Sequence, residues 1–359
     1  MVIVQNLTKK HRKIFWLAIL ALLLPFIFTA ISLSAKDEYS RTIISDLSSP
    51  IYNLIATIAL VIAAKESSKI SKRLAVGWGI LAVAQFSFAL GDILWAIIEL
   101  GLKRPPFPSA ADGAYLLFYP LFLVGIFILP SKRYNLTEWV KRTLDLSIVM
   151  IASMLGFWVF LIGPIIGPEN NTPFLQKFLT AAYPAGDLLL LFALLVIIYY
   201  RSEKFILGSI WILALGSIVM IVTDSIYSYQ SLSDTYVTGG ILDLGWIISY
   251  LLIAFAGFYQ AVIAPTFKEK DTLPYKSIVL RERISRVLAY LPYLCVGSAF
   301  YLLQRYRNLE SPISSTALFF AVGCIIGLVI IRQIIALSEI NHLLSNLKNA
   351  LDQGNLQAA

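Results

Sequence analysis

Runs of 19 to 27 apolar residues recur along this chain, separated by short polar or basic turns. At a rise of 1.5 Å per residue, a helix of about 20 such residues crosses the roughly 30 Å hydrocarbon core of a bilayer. Inside that core every backbone amide must find its partner within the chain, so only helices and closed barrels span it. Alternating segments of about ten residues, the mark of barrel strands, are absent. The pattern predicts an all-α, polytopic integral membrane protein with about ten transmembrane helices: 14–34, 43–64, 74–98, 108–129, 143–163, 178–200, 205–230, 238–264, 285–303 and 312–337. Composition agrees. Charged residues make up 14% of the chain and mean hydropathy is +0.77, whereas a soluble domain is about one-quarter charged.

The basic residues orient the spans. With the N-terminus inside, 22 of the 29 Lys and Arg fall on the cytoplasmic side, starting with Lys9, Lys10, Arg12 and Lys13. This is the positive-inside asymmetry. Residues 1–13 then form a basic cytoplasmic N-terminus, both termini are cytoplasmic, and the cell (inner) membrane is the expected location. The net charge of +8 belongs to a surface facing anionic lipid, so the bilayer is the partner and nucleic acid is not. The SLSA sequence ending the first run would also suit a signal peptide, but the run is longer than a typical h-region. Cys295 and Cys324 fall mid-span and read as small packing residues.

Two stretches place carboxylates where an apolar helix least tolerates them. GDILWAIIELGLKRPPFPSAADGAYLLFYP holds Asp92 and Asp112; TDSIYSYQSLSDTYVTGGILDLGWIISY holds Asp224 and Asp243. An aromatic follows each acid by three residues: Trp95, Tyr115, Tyr227 and Trp246. A tyrosine stands seven residues beyond the second acid in both, Tyr119 and Tyr250. An acid at membrane depth costs several kcal/mol unless paired, hydrated or neutralised, and marks a functional site by default. The acids of one stretch are 20 residues apart and those of the other 19, at offsets of 132 and 131. This predicts an internal repeat of four helices, 74–200 and 205–337.

Plainer readings stand beside this one. Ser109 and Asp112 fit a capping box at a helix start, and Asp243 fits a first-turn acid. Neither reading serves Asp92 or Asp224, which fall late in their helices, where the macrodipole disfavours an anion. Asp145, behind Lys141 and Arg142, reads as an ordinary first-turn acid. Asp187 in AAYPAGDLLLL has two readings: deep within a helix starting near Phe178, or a first-turn acid of a helix starting at Pro184. Span directions put Asp92, Asp112, Asp187, Asp224 and Asp243 all in the outer half of the bilayer, with no Lys or Arg mid-span to pair with them.

Beyond the last span, Leu337, Ile340, Leu344, Leu347 and Leu351 step 3-4-3-4, the seam of a short parallel coiled coil. The same pattern would also suit an amphipathic helix on the inner surface. Residues 338–359 are thus a cytoplasmic helix behind a bundle covering 14–337, and a homodimer is expected. No phosphate-binding loop, Ser-His-Asp set, CxxC or paired metal-ligand histidine occurs, so no catalytic residue, metal site or cofactor is assigned. Acids and aromatics together suit a proton, a hard cation or an organic amine.

PSAADGAYLLFYPLFLVG, AAYPAGDLLLL and ILDLGWIISYLL resemble the multi-span N-terminal sensor regions found ahead of bacterial diguanylate cyclase, phosphodiesterase and histidine kinase domains. RQIIALSEINHLLSNL is similar to the linkers that follow them. The resemblance covers roughly the third to tenth spans. It implies signal sensing in the membrane and readout by a cytoplasmic cyclase or kinase, as a fused domain or as a partner. No cyclase, PAS or kinase signature follows Leu351. The alternative is a small-solute or cation transporter, for which a repeat and buried acids are also usual.

Overall fold

The computed structural model describes residues 24–35, 37–129, 135–166, 173–200, 207–233, 235–263, 275–306 and 315–357. The basic N-terminus 1–13 and the first half of the first expected span lie outside them. The described residues are mostly helical, without a strand, and eight of the helices are long and apolar enough to cross a membrane. The chain is a helical, polytopic membrane protein. In order, the helices are α1 Leu24–Ser34, α2 Glu38–Ser67, α3 Lys72–Ala96, α4 Ala110–Ile128, α5 Leu136–Phe157, α6 Gly163–Ile166, α7 Phe174–Tyr200, α8 Leu207–Leu232, α9 Asp243–Ile263, α10 Tyr275–Tyr306 and α11 Ser315–Gln357. A π turn, Ile97–Gly101, extends α3, and another, Trp158–Ile162, joins α5 to α6.

Polar side chains start the helices by taking up backbone N–H groups that a first turn leaves without partners. Asp37 accepts from Ser40 N at 2.8 Å, and Asn135 from Glu138 N at 2.7 Å. The Ser40 amide and then its hydroxyl hold the exposed Asp37 carboxyl below the usual carboxylate range. Ser109 and Asp112 form the expected capping box at α4. Pro50, Pro120, Pro184 and Pro292 all stand inside helices, as membrane helices tolerate where neighbours satisfy the freed carbonyls. Pro184 is therefore not a helix start. Asp187 lies about 20 Å along α7, which decides between its two readings.

The chain divides into two compact units that interleave along the sequence. In the first, α2, α3, α4, α7, α8 and α9 pack in that order, and α9 closes back on α2. The result is a ring of six helices. It consists of two successive triplets, α2–α4 and α7–α9, each ending in one of the acidic stretches. Trp78, Phe118 and Phe122 are wholly buried within the ring, while Val83, Phe86, Val124 and Phe127 are exposed on its outside. Such an outer face suits lipid, and packing rather than water exclusion then holds the helices together. At the end of the ring away from the acidic stretches, Ser209 donates to Gln260 at 2.6 Å, and Gln260 donates to Ser67 at 3.2 Å, linking α8, α9 and α2.

The second unit is the trio α5, α10 and α11. Here one expectation is corrected. Asp145 is not a first-turn acid: it lies on the third turn of α5, one turn beyond Lys141 and Arg142, and accepts from Arg332 Nε of α11 at 3.0 Å. One turn earlier on α5, Lys141 pairs with Glu339. Gln333 of α11 donates to Tyr293 of α10. Helix α11 is continuous over 43 residues, so the last expected span and the C-terminal seam form one rod. Leu337, Ile340, Leu344, Leu347 and Leu351 are each 52–60% exposed along it.

Candidate functional site

The six-helix ring encloses a cavity of about 440 Å³ at the end where α2, α4, α7 and α9 begin and α3 and α8 finish. Of the expected site residues, Asp92, Trp95, Tyr115, Tyr119, Asp224, Tyr227, Asp243, Trp246 and Tyr250 all line it. Asp112 and Asp187 are wholly buried and do not. No Lys, Arg or His is among the lining residues described.

The two acidic stretches adopt the same hydrogen-bond scheme. On α4, Tyr115 Oη donates back to Asp92 Oδ1 of α3 at 2.9 Å. On α9, Trp246 Nε1 donates back to Asp224 Oδ1 of α8 at 2.6 Å. The second acid of each stretch accepts a backbone N–H on Oδ2 and a tyrosine hydroxyl on Oδ1. For Asp112 the donors are Ser109 N at 2.6 Å and Tyr183 at 2.5 Å. For Asp243 they are Gly239 N at 2.8 Å and Tyr236 at 2.9 Å. Asp112 is thus a capping residue and Asp243 a first-turn acid that holds the preceding loop, and each ties its helix to a neighbouring phenol. Burial, and then the Asp243 carboxylate, push the Tyr236 phenol in the α8–α9 loop well above its ordinary range, so it stays a donor.

Two glycines let the aromatics in. A Cβ at Gly91 would come within 2.5 Å of the Tyr115 ring, and one at Gly186 within 2.6 Å of Tyr119. Tyr115 can reach Asp92 because its neighbour on α3 has no side chain. Tyr119 likewise lies flat on α7 beside Asp187. Along the α8–α9 wall, Tyr227 packs edge-on to Tyr236 at 4.8 Å and to Trp246 at 5.4 Å between ring centroids. These are favourable T-shaped geometries.

Helix α2 supplies much of the site. Asn53 donates to Asp92 Oδ2 at 2.6 Å and accepts from Gln85, so a polar chain crosses from α3 through α2 and back. Ser45 donates to Asp243 Oδ2 at 2.6 Å. Asp46 lines the cavity facing Glu99, and Trp95 donates to Glu99 at 2.6 Å rather than to an aspartate. A lone acid inside the run IISDLSSPIYN was the available signal for Asp46. Tyr183 and Tyr236 carry no comparable mark.

Unlike the acids just described, four buried carboxylate oxygens lack any hydrogen-bond donor: Asp46 Oδ2, both oxygens of Asp187, and Asp224 Oδ2. Each faces another carboxyl. Asp46 meets Glu99, and Asp187 meets Asp224 within hydrogen-bonding reach. Two acceptors in contact need a hydrogen between them or a cation against them, since a buried polar group without a partner is strongly disfavoured.

Comparison with known protein families, curated proteins and solved structures finds no match.

Proposed function

We propose that this chain is the input module of a membrane signalling system, a dimer that detects a small cationic species in the cavity of the ring and relays it through α11. The observation that supports this reading most is the set of donor-free carboxylates around an aromatic cavity. Such a site gains from a proton or cation and from little else. Ligation would draw together helices of both triplets. The ten-span topology with both termini in the cytoplasm, in the cell (inner) membrane, belongs to this proposal. So do pairing of the α11 seam across two copies and an output cyclase or kinase, fused or separate. The continuity of α11 supports the last point, because a rod converts a small displacement at one end into a change of register at the other.

The test is an output fusion. With a diguanylate cyclase domain joined after Ala359, acidification or addition of an amine should change cyclase output in membranes, and Asp224→Asn should abolish the response. A fusion that responds to neither, while the purified chain still binds, would sink the sensor reading. The two triplets around a cavity support a second reading, a small-solute or cation transporter. Flux in proteoliposomes separates the two.

A further inference from the structure

We propose that the cavity takes a protonated primary or secondary amine on a small organic body, a choice that rests on reading this cavity as the input site. Three acids of the ring, Asp92, Asp112 and Asp243, already have their oxygens occupied by neutral donors. Among the described residues the unfilled buried carboxylate oxygens are confined to the pairs Asp46–Glu99 and Asp187–Asp224. Asp46 is only 8% exposed, lines the cavity, and holds its Oδ2 with no partner there. Of the two pairs, Asp46–Glu99 lies wholly along the cavity wall, and there it lacks the donor or cation that two facing carboxyls need. An ammonium with N–H groups supplies this, and its hydrogen bonds to carboxylate are of the strong, charge-assisted kind.

The walls select further. Trp95, Tyr227 and Trp246 present ring surface to the cavity, and such faces attract organic cations. A volume of about 440 Å³ far exceeds a bare ion and lies within the usual range for small-molecule pockets. Among the described residues no three acidic, His or Cys groups converge as a metal ion would require. A quaternary ammonium would suit the aromatic rings but has no N–H to offer the bare oxygens. The arrangement therefore favours a hydrogen-bearing amine over both.

The experiment uses the full chain in lipid nanodiscs with three probes sharing one ring: benzylamine, benzyltrimethylammonium and benzyl alcohol. Calorimetric titration gives affinity, and the thermal midpoint gives an independent reading, since a ligand of the folded state raises it. Benzylamine should bind roughly tenfold or more tightly than either analogue, the loss expected when a charge-assisted bond goes unmade. Asp46→Asn and Asp224→Asn should each weaken benzylamine by about the same factor. Asp37→Asn, at the exposed start of α2, should change it by less than about twofold because exposed charges are screened. If a variant does not fold, the three-probe series on the unaltered chain still decides. Equal binding of benzyltrimethylammonium, or no effect of folded Asp46→Asn, overturns the proposal. So does a midpoint that shifts with pH, in an Asp46-dependent way, while no amine binds. That outcome makes the pairs proton sites and leaves the sensor reading intact, which fails only on the fused output.

Discussion

Tyr115 and Trp246 hold the same place in the two triplets of the ring: each stands three residues after a first-turn acid and donates to the acid of the preceding helix. The partner acids differ in what else they receive. Asp92 also accepts from Asn53, whereas Asp224 has Oδ2 without any donor. Losing the aromatic donor should therefore hurt the second triplet more. Tyr115→Phe should cost about 1 kcal/mol and Trp246→Phe up to about 3 kcal/mol, the range between a lost hydrogen bond and a buried acceptor left bare. Thermal unfolding in nanodiscs measures both, and equal losses would contradict the assigned scheme.

Contact between acids predicts where energetic coupling lies. Asp187 and Asp224 meet directly, while Asp92 and Asp224 share no hydrogen-bond partner. The double variant Asp187→Asn/Asp224→Asn should depart from additivity by roughly 0.5–3 kcal/mol in stability, and Asp92→Asn/Asp224→Asn should be additive within about 0.5 kcal/mol. A double-mutant cycle showing the reverse would mean that Asp187 and Asp224 do not interact as a buried contact requires.

The acidic stretches were legible in the sequence because both marks are local: an acid in an apolar run, and an aromatic at fixed spacing. The cap at Ser109 and Asp112 was legible for the same reason. Asp46 carried the first mark without the second, and Asn53 and Ser45 carried neither, since their importance comes from α2 packing between α3 and α9, a relation that hydrophobic periodicity does not encode. Nor was the partner of Asp145 legible. Lys141 and Arg142 stand one turn earlier on the same helix face, but the hydrogen bond comes from Arg332, 187 residues away.

That ion pair gives a third prediction. Arg332 and Asp145 are largely buried, with side chains 17% and 11% exposed. Removing one partner leaves the other charge stranded. Arg332→Ala should cost about 3 kcal/mol, near the low end for breaking a buried pair. The exchange Asp145→Arg/Arg332→Asp should recover part of it. Stability of the exchanged protein no better than either single variant would assign the loss to packing instead.

Topology is open to direct measurement. A reporter inserted between Leu102 and Pro105, at the cavity end of α3, should be active only outside the cell, and one after Ala359 only in the cytoplasm. The opposite pattern would turn the cavity toward the cytoplasm and place the basic residues against the positive-inside rule.

The last prediction separates a sensor from a transporter. Helix α11 runs unbroken from an apolar span into a seam whose residues Leu337, Ile340, Leu344, Leu347 and Leu351 are exposed in the single chain. A transporter has no evident use for such a rod, whereas a dimeric sensor needs one. Pairing two seams would bury these side chains as knobs in facing holes. Leu344→Lys/Leu347→Lys puts like charges in the middle of that seam and should separate the strands. The ring lies in a separate compact unit, so amine binding in nanodiscs should persist. Cross-linking of the dimer and the response of a fused cyclase should both be lost, and removal of 338–359 from the unfused chain should abolish cross-linking in the same way. If that truncated chain instead moves an amine or cation across proteoliposomes as fast as the full one, and Asp187→Asn stops the movement, the rod is dispensable. The ring is then a transporter.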